Sequence, residues 1–192
     1  MKYDGVHARR LIALQHPDGS WGERFHTLSA SGRAQREPTT EMALRRLEAL
    51  GYTMQDECIA RAVAYMDAVL RGEQTFPDPW EKTHDWAVFI EMMMATWIRR
   101  FTLENERANA VGEKWSGILK AAFAGGNYDH AAYCAAFAQA MGYQPRGGRF
   151  VDFVHFYAVS VTAGLLEEET EAHMSPMRCG MNRGCTTSAR DR

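Results

Sequence analysis

Gln15-His16-Pro17-Asp18-Gly19-Ser20-Trp21-Gly22 is the stretch on which the reading of the fold turns. Pro17, Asp18 and Gly19 in succession predict a tight turn. Pro sets φ, Asp bonds its own backbone, and Gly accepts φ > 0. A helix must therefore stop near Gln15. A turn needs neither a Gln three residues before the Asp nor a Trp two after the Gly, and a Trp left in solvent forfeits a large burial term. Both side chains are predicted to pack back onto neighbouring helices.

Working outward, helical patterns fill the chain. A short helix over 3–15 carries Val6, Leu11 and Leu14. Residues 23–37 are polar and rich in turn formers, and Pro38-Thr39-Thr40-Glu41 then opens a helix with a cap and an early acid, running to Gly51. Asp56 begins the next, where Ile59, Val63, Met66, Val69 and Leu70 recur at helical steps as far as Gly72. Wide apolar faces mark 83–101 and 105–124, an Ala-rich helix comes next over 129–142, and 149–166 is apolar nearly all round.

Between the third and fourth of these helices lies Gln74-Thr75-Phe76-Pro77-Asp78-Pro79-Trp80. A shift of 59 residues brings Leu11 onto Leu70, Gln15 onto Gln74 and Trp21 onto Trp80. The turn thus reads as part of an internal repeat, echoed weakly by Gly126-Asn127-Tyr128. No period-two strand pattern is found. The predicted class is all-α, a stack of helical hairpins of about seven helices.

Composition agrees with one helical domain over 1–173. Of the 192 residues 46% are hydrophobic and 24% charged, enough apolar material for a single core. The tail, 174–192, loses all periodicity, carries four Arg against one Asp, and is predicted to be disordered. A net charge of −2 with no basic run speaks against nucleic acid. There is no signal-peptide pattern and no spanning helix, so a cytoplasmic location is expected. The four cysteines lack CxxC spacing and are expected to be reduced.

Arg10 to Gly22 resembles the Gln-x3-Gly-x-Trp repeat, the QW motif, of the terpenoid cyclases and protein prenyltransferase β-subunits. The helix pair over Thr39 to Met66 also resembles the pair that comes after the motif in that family, and the likeness is best over residues 8–80. The resemblance implies an α/α toroid in which the motif staples one hairpin to the next, around an apolar cavity that binds isoprenoid chains. It implies a prenyltransferase-like or terpenoid cyclase-like function on an isoprenoid or other apolar small molecule. The alternative is a non-catalytic toroid that binds an apolar ligand or a protein partner. Toroids of the family close with about six hairpins, so this one is expected to be incomplete, with a homodimer formed through the open edge of the arc or a longer parent chain. The Asp-x-Asp-Asp acid of squalene-type cyclases is absent, as is the Gly-Cys-Gly-Glu-Gln of the thioester proteins. Asp56-Glu57-Cys58 matches the Asp-x-Cys of the prenyltransferase zinc site by letter, but Asp56 stands where an N-cap is expected, and no metal site is predicted.

The candidate residues lie after the second and third turns. His84, Asp85 and Glu91 are the catalytic candidates, as a base and two acids that burial would tune. Asp85 equally serves as a charge at a helix start and Glu91 as a solvated side chain. Trp86, Met93, Tyr128 and Asp129 are the ligand-binding candidates. For them the competing readings are core packing and, for Asp129, a helix cap. His155, among Phe153, Phe156 and Tyr157, reads as a core histidine. The pattern specifies neither cofactor nor substrate.

Overall fold

The computed structural model describes residues 2–27, 34–80 and 85–145. Among these residues every regular element is an α-helix and there is no strand. The all-α class is the direct result. The predicted helix over 149–166, His155 within it, and the tail from 174 lie outside the described residues. The chain divides into two compact units, Met1–Asn109 and Ala110–Arg192.

In the first unit, α1 is Val6–Ala13, shorter than the pattern over 3–15 suggests. Its would-be first turn is held elsewhere. The Tyr3 amide donates to the Leu50 carbonyl at 2.8 Å, the Tyr52 hydroxyl donates to Asp4 at 3.0 Å, and Lys2 pairs with Asp56 at 2.6 Å. Helix α2, Thr40–Ala49, starts where the Thr39 hydroxyl accepts the Met42 amide, buries Ala43, Leu44 and Leu47, and gives way at Gly51 with φ 82°. Helix α3, Glu57–Leu70, buries Ile59, Ala62, Val63, Met66 and Val69. Asp56 occupies its N-cap position, but the carboxylate accepts the Thr53 amide and Lys2 rather than a helix amide. Helix α4, Trp86–Phe101, packs along α3. Its residues from Met92 to Arg99 are all buried, so the apolar face is as wide as the sequence pattern suggests.

Helix α5, Glu106–Ala122, begins in the first unit and continues into the second. Within the second unit Trp115, Ile118, Leu119, Ala122 and Phe123 are buried with Tyr133 and Phe137 of α6, His130–Met141. Trp115 and Phe137 meet at a centroid distance of 5.9 Å. Fully burying side chains of this size contributes about 1.5–3 kcal/mol each. Asp129 caps α6 by accepting the Ala131 and Ala132 amides at 2.8 and 3.1 Å, and Gly142 ends it in the left-handed region.

The turn at 15–22 forms a closed knot of hydrogen bonds. Trp21 is fully buried, and its indole N–H donates to the Leu11 carbonyl at 2.8 Å. Its amide donates to the Thr40 hydroxyl at 2.9 Å, which fixes the turn to the start of α2. The Gln15 side-chain amide donates both to the Gly19 carbonyl within the turn and to the Cys58 carbonyl of α3, at 2.9 and 2.8 Å. Gly19 has φ 98°, and a Cβ there would collide with the Arg61 carbonyl oxygen, so both its conformation and its contact exclude a side chain. One motif thus joins α1, α2 and α3.

The second turn differs. Gln74 is exposed, and Trp80 is 63% exposed, against 0% for Trp21. The predicted repetition of the staple is therefore corrected. Pro77-Asp78-Pro79 replaces Asp18-Gly19-Ser20 and supplies no residue able to adopt a positive φ without a side chain.

Candidate functional site

Among the sequence-predicted residues, Asp85, Trp86, Glu91 and Met93 belong to the first unit, and Tyr128 and Asp129 to the second. His84 lies outside the described residues. Asp85 sits at the N-cap position of α4 in extended backbone, and its carboxylate accepts no capping hydrogen bond from a helix amide. Glu91 is half-buried and lies within α4, six residues on. Met93 is 1% exposed and, with Met92 and Met94, belongs to the core. Trp86 lies parallel on Phe89, with ring centroids 5.0 Å apart.

Trp86 leads to an aromatic cluster. Phe76 meets Phe25, Trp86 and Phe89 at 5.6, 5.7 and 6.0 Å, and the His26 ring stands edge-on to Phe89 at 5.7 Å. Such offset and edge contacts suit the charge distribution of aromatic rings. Phe25, Phe76 and Phe89 are buried, and Trp86 is half-buried.

At the edge of this cluster is a buried polar constellation that no sequence pattern singles out. His26 Nδ1 lies 2.8 Å from Glu41 Oε2, which also accepts the Thr27 amide at 2.9 Å. The other oxygen accepts from Arg45 at 2.7 Å. Glu41 is 1% exposed. Burial pushes its carboxyl up, but the hydrogen bonds from His26 and Thr27, with the charges of His26 and Arg45, outweigh burial and bring it down to about 2. Asp78 supports the same loop from the other side, its two oxygens accepting the Phe25 and His26 amides at 2.8 Å each. There burial prevails and the carboxyl is raised, despite those amides and the charges of His26 and Arg24. The second turn thus reaches the first hairpin through Asp78 and not through Trp80.

An imidazole whose Nδ1 is held by a buried carboxylate is oriented as a general base is, with Nε2 as its working nitrogen. The same contacts also lock the loop. His26 lies in an aperiodic polar stretch and Glu41 looks like an ordinary acid at a helix start, so no local pattern marks the pair. The only signal was the number of polar residues before a well-capped helix.

In the second unit, Asp129 is engaged as a cap. Tyr128 is half-buried, its hydroxyl 3.1 Å from His130 Nδ1, and its phenol is raised to about 12 by burial first and then by the charges of Cys134 and Asp129. Cys134 Sγ is 3.5 Å from His130 Nε2. Cys58 and Cys134 are free thiols. No group of three or more His, Cys, Asp or Glu among the described residues could hold a metal ion, and no helix among them is long and apolar enough to cross a membrane.

Fold and site define an all-helical protein whose first unit combines an aromatic cluster with a carboxylate-held histidine. Comparison with known families, curated proteins and solved structures finds no match.

Proposed function

We propose that this chain is a helical-hairpin protein of the terpenoid cyclase and prenyltransferase type. Its first unit takes up an isoprenoid or similar apolar small molecule at the aromatic cluster of Phe25, Phe76, Trp86 and Phe89. The observation that carries this reading is the half-buried Trp86 stacked on Phe89 at the accessible edge of a cluster whose other members are buried. Flat π faces in an apolar setting suit an unsaturated hydrocarbon. The first turn supports the toroid comparison, because Gln15 and Trp21 staple three helices together.

Binding is favoured over catalysis by one further observation. All four carboxylate oxygens of Glu41 and Asp78 already accept hydrogen bonds from this chain, three of them from the 24–27 loop and the fourth from Arg45 of α2, so the acids beside the cluster are engaged in holding the structure. His26 then serves as a polar marker at the edge of the site.

Native mass spectrometry with farnesol and farnesyl diphosphate tests the reading. One bound molecule per chain is expected, with occupancy strongly reduced in Trp86→Ala. Failure of both compounds to bind, or binding indifferent to Trp86→Ala, defeats it.

A further inference from the structure

A groove of about 560 Å³ runs between α1 and α2; none of its lining residues belongs to the aromatic cluster, and it is independent of that cluster's proposed role. Leu11, Leu14 and Leu50 give it apolar walls, and His7, Arg10 and Arg46 stand along it. Among the described residues no carboxylate lines it. His7, Arg10 and Leu14 recur at helical steps on one side of α1 and its C-cap, and Arg46 faces from α2. Neither Arg10 nor Arg46 has a side-chain hydrogen bond or ion pair among the described residues. Their neighbours are engaged: Arg45 with Glu41, Arg61 with the His16 carbonyl, and Arg100 with Glu48. Leu14 is 40% exposed, and Val6 and Tyr3 at the same end of the chain are 49% and 62% exposed.

We infer that this groove binds a free single-chain alkyl carboxylate, its chain against the three leucines and its head between the two guanidinium groups. Charge complementarity fixes the sign of the occupant, since two permanent cations without an acid call for an anion, and a guanidinium fork matches a carboxylate. The apolar walls call for a chain behind the head. The volume of the groove lies within the range of small-ligand sites. A second copy docked isologously would set arginine against arginine.

The test is titration of the full chain with dodecanoate, below its micelle concentration, monitored by calorimetry and native mass spectrometry. Dodecanol, dodecyl phosphate and phosphatidylglycerol vesicles form the comparison arms. One dodecanoate per chain is expected, weakened about tenfold or more in the Arg10→Gln/Arg46→Gln double variant, as loss of charge-assisted bonds implies. Both arginines are exposed, so the variant should keep its thermal midpoint. No binding, equal binding of dodecanol, or an unaffected double variant overturns the inference. Tighter binding of dodecyl phosphate, or response to vesicles alone, replaces the carboxylate with a different ligand and equally overturns it. Loss of dodecanoate binding in Trp86→Ala would place the chain at the aromatic cluster instead and also count against the groove. Failure of isoprenoids at the cluster has no bearing on this result.

Discussion

Two turns of this molecule share a Gln and a Trp six residues later, and only one of them is a staple. In the first, Trp21 is sealed between helices and Gln15 reaches α3; in the second, Gln74 and Trp80 face solvent. The difference lies in the residues between. Gly19 lets the backbone turn against the Arg61 carbonyl, which brings Trp21 inward, whereas Asp78, between Pro77 and Pro79, stands at the matching position of the second turn. The second turn instead contributes Asp78, which collects two amides of the first hairpin. A shared pair of letters thus marks two different ways of tying hairpins together.

The largest effect expected from breaking this contrast is at the tryptophans. Trp21→Ala should cost about 3–5 kcal/mol by denaturant unfolding, as for other buried large-to-small changes. Trp80→Ala should stay within about 0.5 kcal/mol, as surface changes do. Comparable losses at the two positions would erase the distinction. Next comes Gly19→Ala, where a positive φ and a backbone clash together should cost about 2–5 kcal/mol. A neutral outcome would mean that the turn relaxes freely.

Glu41 sharpens the comparison through pH. Its folded carboxyl lies near 2, below its ordinary 4.5, so it contributes stability above pH 4.5 that is lost as pH falls through 2. The span corresponds to about 3 kcal/mol. Glu41→Gln should flatten that part of the acid-unfolding curve, and an unchanged curve would show that the His26 contact carries no net stability. Asp78 has the opposite sign. Its raised carboxyl means that this group's contribution falls as pH rises through the ordinary and then the folded value. Asp78→Ala, which strands two amides, should still cost about 2–4 kcal/mol at neutral pH. A loss below that of Trp80→Ala would refute the role given to the second turn.

The smallest effect belongs to the glutamines. Gln15→Ala removes two hydrogen bonds and should cost about 1–2 kcal/mol, while Gln74→Ala should cost almost nothing. Equal values would indicate that the Cys58 contact is dispensable.

Much of the fold was legible in the sequence because its signals are local. Thr39 and Asp129 mark helix starts by their side chains, and Gly51, Gly72 and Gly142 mark ends by positive φ. Trp21 was legible as buried because a turn gives a tryptophan no other stabilising place. The site was legible only in part. Trp86 belongs to the aromatic cluster, yet Met93 is core and Asp129 is a cap, since a helix start uses the same residue types for structure as for chemistry. His26, Glu41 and Asp78 escaped notice because the loop path alone joins them. The intervals of 15 and 52 residues fit no helical or strand period.

The Gln15 bridge to Cys58 also bears on the order in which the chain assembles. It spans 43 residues, and its acceptor is a carbonyl at the start of α3. Local contacts form early in folding, while those that close long loops must first offset the entropy of closure. Helix α3 must be in place before Gln15 has that carbonyl to grip, so the first turn of the chain is among the last parts to take its final shape. Changes at Gln15 should then speed unfolding and leave the refolding rate nearly untouched.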